Sequence, residues 1–151
     1  MNYLNKQIKK NPLFFALLLP ALTDSIITLL GQSQAYWNGS KTVNEASPAY
    51  YFLLASPWVY LVAVIVWFIF WYWVFKKIKE PANLFLMFVF IVGHAWGSST
   101  WIKKLLIENG LYTVENQSRT ILGWSLLMLY FVVIAVLATY CLKIYMESRK
   151  K

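Results

Sequence analysis

Residues 12–30 read PLFFALLLPALTDSIITLL, an apolar run from Pro12 to Leu30 interrupted by one carboxylate, Asp24. Its length is close to the ~20 residues a helix needs to cross a hydrocarbon core. Three further runs, 57–75, 82–101 and 121–142, have comparable length. None shows the in-out alternation of a barrel strand. The reading is all-α: a four-span transmembrane helical bundle, a single membrane domain over residues 1–151. Composition agrees. The chain is 60% hydrophobic and 13% charged, against about 45–50% and about 25% in soluble domains.

The net charge of +8 does not point to nucleic acid. The basic residues flank the apolar runs, where topology signals sit. Ten lie on one side: Lys6, Lys9, Lys10, Lys76, Lys77, Lys79, Lys143, Arg149, Lys150 and Lys151. Four lie on the other: Lys41, Lys103, Lys104 and Arg119. That asymmetry predicts a multi-pass cell-membrane protein with both termini cytoplasmic. Its first partner is the lipid bilayer, and the basic tails suit anionic lipid heads.

The N-terminus resembles a secretory signal, with lysines, an apolar stretch and Ser33-Gln34-Ala35. The run is long for a signal, and Asp24 interrupts it, so the expectation is an uncleaved first span. Cys141 stands alone, which excludes an internal disulfide. Asn38-Gly39-Ser40 and Asn116-Gln117-Ser118 are sequons on the outer side, relevant only in a glycosylating host.

Residues 1–11 read as a polar tail, and Pro12 suits the first turn of a helix. Pro20 removes one backbone hydrogen bond inside the first span and is expected to kink it. The outer loop, 31–56, contains Ser47-Pro48, a helix start that predicts a short helix over 48–56. Pro57 separates that helix from the second span. The aromatics of the second span, Trp67 to Phe75, read as lipid-facing bulk and an inner-leaflet belt. Gly93 and Gly97 have small-xxx-small spacing and are expected to admit another helix. Asn109-Gly110 reads as a helix stop.

Only Asp24 and His94 are ionisable well inside the apolar runs. Such residues need partners and are functional candidates. Each lies about seven residues from the outer end of its span, roughly 10 Å at helical rise. The topology sends the two helices the same way, so the two groups share a depth. Thr28 lies one turn beyond Asp24, and Ser98 one turn beyond His94. Glu45 can fold down from the outer loop. Asp24, Glu45 and His94 are a possible divalent-metal set or an acid/base set. Each also has a plainer reading. Asp24 can be satisfied by Thr28, Ser25 or a backbone amide near Pro20, His94 by Ser98 or the fourth helix, and Glu45 can lie exposed beside Lys41.

Asp24-x-x-x-Thr28 and Glu45-Ala46-Ser47-Pro48 resemble elements of a family of small prokaryotic membrane proteins of unknown function. Those proteins carry Asp-x-x-x-Thr in the first span and Glu-Ala-Asn-Pro before the second. Ser47 stands where that family has Asn, and the resemblance covers about residues 20–60. It implies a polar site between the first span and the outer loop and brings no known activity. In architecture alone, the chain is also similar to the sterol-isomerase and sigma-2 receptor fold, which closes membrane helices around acidic residues and aromatics.

No nucleotide-binding loop, serine-hydrolase elbow, H-E-x-x-H or haem-attachment motif occurs. The leading expectation is a polar site opening to the outer face, binding a small ligand or ion through Asp24, Thr28, Glu45, His94 and Ser98. Two alternatives are an accessory subunit packing on other membrane subunits, and a homo-oligomeric ion or proton pathway through Asp24.

Overall fold

The computed structural model describes residues 3–40 and 42–149. Lys41, Lys150 and Lys151, counted above for topology, lie outside them, as does any contact of Glu45 with Lys41. The described residues form seven helices and no strand. They are α1 (Tyr3–Lys10), α2 (Pro12–Leu30), α3 (Gln34–Trp37), α4 (Ala49–Ala55), α5 (Pro57–Lys77), α6 (Ala82–Glu108) and α7 (Gln117–Arg149). Helices α2, α5, α6 and α7 are long and apolar enough to cross a membrane.

Local chemistry explains most boundaries. Pro12 opens α2, where its missing amide costs nothing. Helix α2 then runs unbroken through the buried Pro20. Ser47 Oγ accepts the Ala49 amide at the start of α4. Ser56 is extended, and its Oγ accepts the Val59 amide, capping α5, with Pro57 in the first turn. Gly110, at φ +67°, takes the left-handed turn that ends α6. Two expectations fall short. The basic tail is helical in α1, because Ile8 is buried against the core of the bundle. Helix α7 extends beyond its apolar run at both ends, to 33 residues, because no helix breaker ends the pattern there.

Helix α2 is the hub. Of its apolar window 39% is buried, against 11–22% in the other three long helices. It packs along α6 and α7 and touches α5. Leu13, Ala16, Leu17 and Ala21 meet Met87 of α6 and Cys141 of α7 in the inner core. Helices α2 and α6 run parallel: Asp24 meets His94, and Gly31 meets Trp101 and Lys104. Lys104 Nζ donates to Gly31 O at 2.7 Å, placing a cation on an orphan carbonyl at the end of α2.

Helix α5 sits outermost and is tied at two points. Asn11 Nδ2 donates to Tyr72 O at 2.8 Å at one end. Tyr60 OH donates to Ser25 O at 2.9 Å at the other. Its aromatics divide between two environments. Trp67, Phe68, Trp71 and Tyr72 pack on the inner core, whereas Phe70 and Trp73 are exposed. The expectation that this whole segment is lipid-facing therefore fails for Trp67, Phe68, Trp71 and Tyr72, which pack on the core.

The α5–α6 turn is fastened to the end of α7. Arg149 Nη2 lies 2.9 Å from Glu80 Oε2, and Tyr145 OH donates to Glu80 Oε1 at 2.6 Å. The Arg149 hydrogen bond, then that of Tyr145, holds the Glu80 carboxyl below the usual carboxylate range. A lowered folded value means stabilisation that is complete above the unfolded value, about 4.3. It is lost as pH falls through the lowered one. Glu80→Gln should therefore flatten the acid limb of the stability profile. Thermal unfolding of wild type and variant between about pH 5 and pH 2 tests this; two parallel profiles would contradict it.

Candidate functional site

The outer loop is folded back onto α2 by a side chain that carries no charge. Gln32, buried beyond the end of α2, accepts the Asn44 amide at 2.9 Å through Oε1. Its Nε2 donates to Thr28 O at 2.8 Å. Tyr36 OH donates to Leu53 O at 3.0 Å, closing α3 onto α4. Together these bonds hold Glu45 over the C-terminal end of α2 and the N-terminal end of α5. Gln32 carries no sequence signal beyond its polarity, so its role emerges only from the fold.

Beneath the loop lies a cavity of about 620 Å³ between α2, α5 and α6. Asp24, Thr28, Glu45 and His94 all line it, so four of the five ligand-site expectations share one space. Asp24 and His94 meet. His94 Nδ1 donates to Asp24 Oδ2 at 2.8 Å, and the two side chains are 24% and 22% exposed. A carboxylate only accepts, so Nδ1 carries the proton. Nε2 then has no hydrogen-bond partner among the described residues. Trp67 stands edge-on to the imidazole with centroids 5.2 Å apart, and Phe90 stacks at 6.2 Å. Trp67, Phe90, Trp101 and Phe52 give the cavity aromatic walls.

The glycine pair serves this site. A Cβ on Gly97 would stand 2.8 Å from Asp24 Oδ1, so the glycine makes room for the carboxylate. A Cβ on Gly93 would meet nothing within 4 Å, and Gly93 lines the cavity. Of the two glycines, whose spacing suggested helix packing, Gly97 faces Asp24 of α2 and Gly93 faces open space.

Two further corrections follow. Ser98 is fully buried and not in the cavity lining; its Oγ donates to His94 O and shares a 2.6 Å hydrogen bond with Tyr130 OH of α7. It braces α6 on α7, because it leaves the helix on a different face from Gly97. The metal expectation is not met either. Among the described residues no three His, Cys, Asp or Glu groups gather to hold an ion. Asp24 Oδ2 is taken by His94, and Glu45 Oε1 accepts the Ser47 amide at 2.8 Å. Tyr60, Trp67 and Tyr130 have structural or lining roles that ordinary hydrophobic patterning conceals.

No known protein family, curated protein or solved structure matches this chain.

The glycines yield substitutions of opposite sign. Gly97→Ala should push Asp24 off His94 and destabilise the fold by about 1–3 kcal/mol, the usual cost of overpacking. Gly93→Ala should be neutral or stabilising by up to about 1 kcal/mol, since alanine is the better helix former. Unfolding titrations in detergent measure both. Equal effects would show that Asp24 does not occupy the space beside Gly97.

Proposed function

We propose that this is a multi-pass cell-membrane protein that binds a small amphipathic molecule with a cationic or hydrogen-donating head in its outer half. The observation carrying the reading is the charge inventory of the cavity. Asp24 and Glu45 line it, and among the described residues no lysine or arginine does. The Asp24 carboxyl, beside His94, faces a space walled by aromatics. A cation near aromatic faces and a carboxylate is favoured on both counts. The volume lies within the roughly 300–1,000 Å³ typical of small-molecule sites.

The topology belongs to the proposal. Lys6, Lys9, Lys10, Lys76, Lys77, Lys79, Lys143 and Arg149 lie at the end of the bundle opposite Lys103, Lys104 and Arg119. The more basic end is cytoplasmic by the positive-inside rule. The cavity then opens outward. The accessory-subunit reading has less support from the glycine pair than its spacing suggested, because Asp24 fills the space beside Gly97. No ion pathway is needed to account for Asp24, which His94 already partners.

A dansylated alkylamine and its uncharged amide analogue, titrated into the purified full chain, test the ligand class. The amine should bind at least about tenfold more tightly, the worth of one charge-assisted bond of about 1.5–3 kcal/mol. Asp24→Asn should erase most of that preference, and Gly93→Trp should block both probes by filling the cavity. Equal affinity for amine and amide would sink the proposal.

A further inference from the structure

At the opposite end of the bundle lies a second cavity of about 640 Å³ with the reverse chemistry. Lys76, Lys77, Lys79 and Arg149 line it against a single carboxylate, Glu80. Arg149 is paired with Glu80 at 2.9 Å. The three lysines have no carboxylate partner among the described residues. Lys76 Nζ rests over the Tyr72 and Trp73 rings, 4.5 and 5.2 Å from their centroids.

The cavity has a fixed floor. Asn83 Nδ2 donates to Tyr145 OH at 3.0 Å, and Tyr145 OH donates on to Glu80. This network joins the α5–α6 turn, the first turn of α6 and the end of α7. It therefore fixes the turn that carries Lys79 and follows Lys76 and Lys77 against the end of α7.

An apolar track leads to this cavity. Val66, Ile69, Phe70 and Trp73 are all exposed. Their spacing, i, i+3, i+4 and i+7, puts them on one face of α5. The next positions of that face are Lys76 and Lys77, both exposed and both in the cavity lining. A continuous hydrocarbon-compatible stripe ending in clustered cations matches a molecule with acyl chains and an anionic head.

We infer that this cavity holds the phosphate of an anionic phospholipid whose acyl chains lie along the Val66–Trp73 face of α5. The lysines supply the attraction and the aromatic pair under Lys76 sets the headgroup boundary. The site is independent of the outer cavity, which shares no lining residue with it.

Native mass spectrometry of the full chain in mild detergent, titrated with phosphatidylglycerol or phosphatidylcholine, tests the inference. Wild type should retain phosphatidylglycerol at least about tenfold more tightly, since each basic residue near an anionic lipid contributes about fivefold. Replacing Lys76, Lys77 and Lys79 together by Gln should lower that affinity at least about tenfold. Replacing all three by Arg should preserve it. The combination Lys6→Gln, Lys10→Gln and Lys143→Gln removes the same charge outside the cavity and should change it little. Equal retention of the two lipids by wild type would overturn the site without recourse to any variant. Equal losses in the two Gln triples would reduce it to a diffuse surface effect and overturn it too. Displacement by millimolar inorganic phosphate alone would make the occupant a soluble anion and end the lipid assignment.

Discussion

A carboxylate inside an apolar helix is the constraint around which this protein is arranged. Placing Asp at the centre of a membrane helix costs about 2.5–3.5 kcal/mol on insertion scales. A hydrogen bond to a charged group returns about 1.5–3 kcal/mol. One good partner therefore nearly offsets the cost, and none leaves the span marginal. His94 is that partner, at 2.8 Å. The pair requires α6 to lie parallel against α2 in one register. It also requires a glycine at position 97, because any side chain there would overlap Asp24. The close α2–α6 packing, the depth of the imidazole and the identity of residue 97 thus share one cause.

The cavity follows from how α5 is attached. That helix is tied near its start by Tyr60 to Ser25 O and near its end by Asn11 to Tyr72 O. Near the C-terminal end of α5 the gap is filled by Trp71, Phe75 and Phe90, whose rings interlock. Towards its N-terminal end Gly93 contributes no side chain, so the gap stays open beside Asp24 and His94. Gln32 then draws the loop across the top. A space left between fixed helices costs stability through lost contacts. The molecule holds this one open by hydrogen bonds at both ends of α5.

Much of this was legible in the sequence, for identifiable reasons. The four long helices follow from runs of apolar residues at membrane length, and Pro12, Pro57 and Gly110 mark ends by backbone chemistry that needs no tertiary context. The meeting of Asp24 and His94 was legible because helical rise converts residue counts into depth. Other roles were not. The Gly93–Gly97 spacing says that something approaches closely, but not whether it is a backbone, a carboxylate or nothing. Ser98 lies one turn from His94, yet its hydroxyl bonds the His94 backbone carbonyl and Tyr130 rather than the imidazole. Trp67 and Trp73 sit in the same aromatic run, and only the rotation of α5 decides which meets the imidazole and which is exposed.

That rotation also gives one helix two kinds of surface. The inward face of α5 presents Tyr60, Val64 and Trp67 to a cavity whose charged lining, among the described residues, is acidic. Its outward face presents Val66, Ile69, Phe70 and Trp73, ending at lysines. The chain's net charge of +8 describes neither cavity. The cations are concentrated at the ends of helices, where hydration keeps them inexpensive. The carboxylate of Asp24 is held within an apolar span, where only specific partners make it tolerable. Low dielectric strengthens whatever interaction such a carboxylate makes. Asp24 therefore weighs more beside His94 than the overall charge of the chain suggests.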